Sequence, residues 1–146
     1  LAQFRKLLLA LDLSPESEVL IHRVLQMCQD DLDSLNVVHV IKQGMHDGST
    51  VNSDLGGNSQ AQRIVDHTMI RLREILHRNG LNIPAEKIFL ARGEPAFEIK
   101  KLAREIDADL VIVGSHYKRN DFLRLPGTTT NCVMQGISSD VIAVKI

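Results

Sequence analysis

Short, nearly continuous apolar runs alternate along the chain with longer stretches whose apolar positions recur at helical spacing. Lys6–Leu11 (K-L-L-L-A-L), Leu35–Ile41 (L-N-V-V-H-V-I), Glu86–Ala91 and Leu110–Val113 are each too short for a helix. Runs of that length read as strands buried on both faces of a parallel sheet. A fifth run, Val141–Ile146, closes the chain. The first helix is predicted from Ser14-Pro15 to about Asp30, burying Leu20, Val24, Met27 and Cys28. The second starts near Gln60 and places Ala61, Ile64, Val65, Thr68, Leu72, Ile75 and Leu76 on one face, stopping at Asn79-Gly80. The third follows Gly93-Glu94-Pro95 with Ala96, Ile99, Leu102, Ala103 and Ile106 inward, and the last spans about Thr128 to Gly136.

Local chemistry marks where these elements begin and what their ends offer. Ser14 suits an N-cap and Pro15 the first helical position, where a missing N–H costs nothing. Lys42–Ser59, rich in Gly, Asn, Ser and Asp, reads as a long polar loop. Strand–helix alternation implies right-handed crossovers and an open sheet with helices on both faces. Ligands of such sheets bind beyond the strand carboxyl ends, where strand order reverses. The first strand runs into Asp12 and the fourth stops at Gly114, so central, adjacent placement would bring both to one crevice. Gly127-Thr128-Thr129-Thr130 opens the last helix. Unpaired N–H groups and partial positive charge there favour an anion, which points to a phosphate cradle.

Bulk composition removes several classes. The 146 residues predict a single domain, residues 1–146, with 44% apolar and 24% charged positions, as in ordinary globular proteins. A net charge of −1 with few aromatics argues against a nucleic-acid partner. No apolar run approaches the ~20 residues that cross a bilayer, and Leu7–Leu11 is too short for a leader, so no membrane contact and a cytoplasmic location are expected. Cys28 and Cys132 lack C-x-x-C or Cys/His ligand spacing and read as reduced structural thiols. His22, His39, His67 and His77 show no metal spacing, and His46-Asp47 is a weak pair in the long loop; no metal is expected. Ser14 and Ser115 lack a nucleophile elbow or base, and no P-loop is present, so catalysis is not expected. Lys118, Arg119 and Arg124 form a positive loop that either meets phosphates or is simply solvated.

Several segments together resemble the universal stress proteins: A-L-D-L-S-P-E-S at Ala10–Ser17, V-V-H-V at Val37–Val40, D-A-D-L-V-I-V-G-S-H at Asp107–His116, Gly127-Thr128, and the closing V-I-A-V-K-I. The likeness runs in order along essentially the whole chain, and D-L-S-P-E-S is most similar to the A branch. The resemblance implies a Rossmann-like, adenine nucleotide alpha hydrolase-like sheet of five parallel strands in the order 3-2-1-4-5. It implies an adenine-nucleotide site in which Asp12 faces ribose, Val40 faces adenine, and Gly114, His116, Gly127, Thr128, Thr129 and Thr130 line the phosphate side. The family motif, G-x-x-G, nine residues, then G-[S/T], is matched at Gly114 and Gly127-Thr128 but carries Tyr117 in place of its second glycine. Glycine at such a place takes positive φ and leaves room for phosphate; tyrosine does neither. Pro126 further restricts Leu125 to extended backbone. The resemblance thus implies a non-catalytic A-type stress protein with a degenerate site and no certain cofactor. The alternative is a switch that binds ATP or AMP with little or no hydrolysis. An adenylyl-transfer enzyme would need signatures such as H-I-G-H or K-M-S-K-S, which are lacking. An apolar closing strand at a sheet edge also predicts a homodimer through Val141–Ile146, together with other protein partners that the sequence does not identify.

Overall fold

Strands that are apolar on both faces need helices on both sides, and this chain supplies them. The computed structural model describes residues 4–28, 32–42, 57–115 and 132–146. In chain order the elements are β1 (Leu7–Ala10), α1 (Ser17–Met27), β2 (Leu35–Lys42), α2 (Gly57–Arg78), β3 (Ile88–Gly93), α3 (Pro95–Glu105), β4 (Leu110–Ser115) and β5 (Asp140–Lys145). All neighbours pair in parallel, in the order β3-β2-β1-β4-β5. The expected five-stranded order therefore stands.

Alternation along each strand splits the core into two layers. Leu7, Leu9, Leu11, Val37, Leu110 and Ile112 pack under α1 and α2, against Leu20, Ile21, Val24, Leu72 and Leu76. Leu8, Val38, Val40, Val111 and Val113 pack against Ala96, Ile99 and Ala103 of α3, and against Val133. Cys28 belongs to the first layer and Cys132 packs on the second, so the sheet separates two free thiols.

Helix ends depart from expectation in instructive ways. α1 starts at Ser17 rather than at Pro15, and its capping residue, Glu16, makes no side-chain cap bond. α2 begins at Gly57, three residues before Gln60, and all seven predicted inward positions are buried or half-buried. It stops as predicted: Gly80 takes φ 83, Gly80 N–H donates to His77 O and Leu81 N–H to Leu76 O. That is a Schellman closure, with buried Leu76 and Leu81 supplying its apolar contact. Glu86 lies in a 3-10 turn, Ala85–Lys87, so β3 begins at Ile88. α3 has Glu94 as cap, accepting from Phe97 N–H at 2.8 Å, with Pro95 at its first position. Residues 132–134 are helical and Gly136 takes φ 71. The expected start of that helix at Thr128, and most of the predicted Lys42–Ser59 loop, lie outside the described residues.

One carboxylate ties the sheet together at its amino end. Asp109, just before β4, accepts from Arg5 N–H and Lys6 N–H, each at 2.8 Å, and its own N–H donates to Lys6 O at 3.0 Å. Its carbonyl accepts from Asp140 N–H, so the entries of β1, β4 and β5 meet on one residue. Partial desolvation would raise the Asp109 carboxyl, but the bonds from Arg5, Lys6 and its own backbone outweigh it and hold the group below its ordinary value. A depressed carboxyl contributes stability above its unfolded pKa and loses it as pH falls through the folded value. Asp109→Ala is expected to cost about 1–2 kcal/mol, the lower end for charged hydrogen bonds because solvent screens the site. Chemical denaturation at pH 7 measures the cost, and the gap between wild type and variant should close below about pH 3.

Candidate functional site

The candidate site grows out of the strand register. Ala10 of β1 lies opposite Val38 of β2 and Val113 of β4, and Leu11 N–H continues the ladder to Val38 O at 2.9 Å. Two residues further on, the register brings Asp12 level with Val40 on one side and with Ser115 on the other. Asp12, Val40 and Gly114, expected at one crevice, are thus brought together at the carboxyl ends of three adjacent strands. His116, Gly127, Thr128, Thr129 and Thr130 lie outside the described residues, as do Tyr117, Lys118, Arg119, Arg124 and Pro126.

Asp12 organises the turn between β1 and α1. Its Oδ1 accepts from Ser14 N–H and from Ser17 Oγ, both at 3.0 Å. The cap expected of Ser14 is therefore supplied by Asp12, because the chain makes one more turn before the helix begins. Between them Leu13 adopts φ 58, a left-handed backbone that costs an L-residue about 1 kcal/mol. The Asp12 bonds on either side, and packing of Leu13 on the α1 layer, hold it there.

Gly114 has a different role from the one expected. β4 does not stop there: Gly114 pairs with Val144 and Ser115 with Lys145. A Cβ on Gly114 would stand 2.5 Å from Ile146 Cδ1 and 3.4 Å from Leu20 Cδ2. Its missing side chain therefore makes room for Ile146 in the α1 layer. The next residue turns the other way. Ser115 follows Val111 and Val113 onto the α3 side, the side of Val40, and is 3% exposed. Its Oγ is buried with no hydrogen-bond partner, and so is Ser14 Oγ. Ser115 was dismissed as a nucleophile in the sequence; the signal that finds it is strand alternation beyond Val113.

His39, next to Val40, faces the opposite layer and braces the turn from below. Its Nδ1–H donates to Leu11 O at 2.7 Å, which fixes the tautomer because a carbonyl can only accept. Burial pushes the imidazole down from its ordinary value; the Leu11 bond and the nearby Asp12 charge oppose that, and Arg71 adds to it. His39 thus holds the β1 exit as a neutral ring. His22 and His77 pair with Asn79 and Asn82 at the surface. No group of three or more metal-ligating side chains occurs among the described residues, and His46-Asp47 lies outside them. No helix among them is long and apolar enough to cross a membrane. A separate open groove of about 450 Å³, lined by Leu76, His77, Leu81, Asn82 and Ile88 among others, lies where β3 begins, at the other end of the strands.

Comparison with known proteins agrees with this architecture. A model of the universal stress protein family matches residues 3–145. Universal stress protein A homolog 1 of Coxiella burnetii is 28% identical over 142 residues, covering 97% of this chain and 96% of that protein. Universal stress protein A homolog 2 of the same organism is 28% identical over 144 residues, covering 98% and 96%. Among solved structures, the hypothetical protein MJ0577 superposes with a TM-score of 0.73 at 23% identity, over 97% of this chain and 96% of that one. A universal stress protein from Archaeoglobus fulgidus in complex with dAMP gives 0.59 at 18% identity, over 96% and 97%.

The packing account of Gly114 has a direct check. Gly114→Ala is expected to destabilise by about 1 kcal/mol through overpacking against a side-chain tip that can partly yield. Ile146→Val removes the Cδ1 that the new methyl would meet, so in that background the same change should cost less than half as much. A double-mutant cycle by urea denaturation measures the coupling; purely additive costs would exclude the contact as the reason for glycine.

Proposed function

This chain belongs to the universal stress protein family, and from that premise we propose that it is a non-catalytic stress-response protein of the A type. It works in the cytoplasm as a homodimer and carries a degenerate adenine-nucleotide site. The observation that carries the nucleotide part is the row Val40–Asp12–Ser115 across the carboxyl ends of β2, β1 and β4, an apolar, an acidic and a hydroxyl position side by side. Such a row offers an adenine ring one apolar wall and a sugar its hydrogen bonds. Support also comes from the relatives, named universal stress protein A homologs, and from the dAMP held by the Archaeoglobus fulgidus neighbour. The same dAMP complex favours a second reading, a nucleotide-dependent switch with little or no hydrolysis.

Tyr117 in place of a motif glycine crowds the phosphate side, so weak binding is expected, with a Kd of about 0.1–1 mM for AMP and ATP. Tyr117→Gly should tighten both by roughly tenfold, or about 1.4 kcal/mol. Isothermal titration calorimetry checks this. Absence of heat and of any thermal shift at millimolar nucleotide, in wild type and in Tyr117→Gly alike, would reject the site.

The dimer is proposed to form by antiparallel pairing of β5 with its copy. β5 is an edge of the sheet. Asp140 N–H and Ile146 N–H point to β4, at Asp109 O and Ser115 O, so by alternation the N–H of Val141, Ala143 and Lys145 point outward. An outward ladder on an apolar edge is an aggregation hazard unless it is paired. Ala143→Pro removes one outward donor and spares the β4 ladder. It should convert a dimer to a folded monomer in analytical ultracentrifugation, whereas Val144→Pro, which strikes the β4 side, should destabilise the fold itself. A variant Ala143→Pro that remains dimeric would exclude strand pairing.

A further inference from the structure

Among the described residues, two buried side-chain oxygens have no hydrogen-bond partner, Ser14 Oγ and Ser115 Oγ, and both lie at the carboxyl ends of the central strands β1 and β4. We propose that Ser14 and Ser115 are ligand-contacting residues whose hydroxyls take the ribose of an adenine nucleotide on either side of Asp12; this rests on the nucleotide reading above. A buried hydroxyl without a partner is a standing cost to the fold, and such groups in native structures call for an explanation. Ser17, by contrast, is equally buried and satisfied, since its Oγ donates to Asp12.

Charge selects the sugar over the phosphate. Asp12 sits in the same row, level with Ser115, and a carboxylate repels phosphate oxygens. Ribose hydroxyls donate to a carboxylate and both donate to and accept from serine, so one sugar satisfies all three side chains. Val40, on the far side of Asp12, offers the adjoining adenine an apolar surface. Neither serine oxygen reaches solvent, so binding has to part the exits of β1 and β4.

Ser115→Ala tests the assignment, with AMP, adenosine and inorganic phosphate as probes. Removing an orphaned hydroxyl should raise the Tm of the ligand-free protein by about 2–4 °C. It should weaken AMP and adenosine by the same factor, about 5–20-fold, and leave phosphate unchanged. A lower Tm without ligand would overturn the inference, since the hydroxyl would then be a structural partner. A raised Tm with unaltered AMP affinity would overturn it and leave the nucleotide reading standing. Weakened AMP with unchanged adenosine would place the contact on phosphate and overturn the ribose assignment. A wild type that binds neither AMP nor adenosine would overturn both readings together.

Discussion

Everything at the candidate site depends on β1 lying between β2 and β4 in parallel register. Those two ladders fix which residues leave the sheet together: Asp12 beside Val40 on one side and beside Ser115 on the other. Parallel pairing is stable here because β1 is shielded on both faces, Leu7 and Leu9 under α1 and Leu8 under α3. At the opposite end Asp109 locks the entries of the same strands through hydrogen bonds from Arg5 and Lys6. A slip by one residue would exchange every inward side chain for its neighbour, and it would also move Ser115 from the crevice to the α1 layer. The packing of the core and the geometry of the site are therefore one constraint.

Within that frame the β1–α1 turn carries stored tension. Leu13 holds a positive φ, kept there by Asp12, whose Oδ1 bonds Ser14 and Ser17, and by neutral His39 on the carbonyl of Leu11. Asp12 is at once the group that shapes the turn and the acidic position of the proposed crevice. Two unsatisfied hydroxyls border it. Strain and orphaned polar groups cost stability, and their concentration at one end of the central strands is the pattern expected where a protein keeps a site ready for a ligand.

The apolar periodicities carried most of the architecture. Inward positions of α2 and α3, the closure at Asn79-Gly80 and the cap at Gly93-Glu94-Pro95 all follow from spacing and end chemistry, because these act within a few residues of chain. The misplacements share one cause. Ser14 is a good N-cap by type, yet Asp12 two residues earlier reaches the same backbone region and takes the role. Gly114 looked like a strand end because glycine usually interrupts one, but β5 and Ile146 continue the ladder past it. Each depends on a partner distant in sequence or on competition between neighbours.

The order of apolar runs and helical stretches by itself determined the α/β class, the two-sided burial and the presence of Asp12 at a strand exit, since periodicity and end chemistry are local properties of the chain. Only the tertiary structure decided that Gly114 makes room for Ile146, that Ser115 rather than Gly114 turns toward the side of Val40, and that Asp109 joins three strand entries. Those outcomes are set by register and by which face a side chain takes, and both arise only when strands far apart in sequence lie side by side.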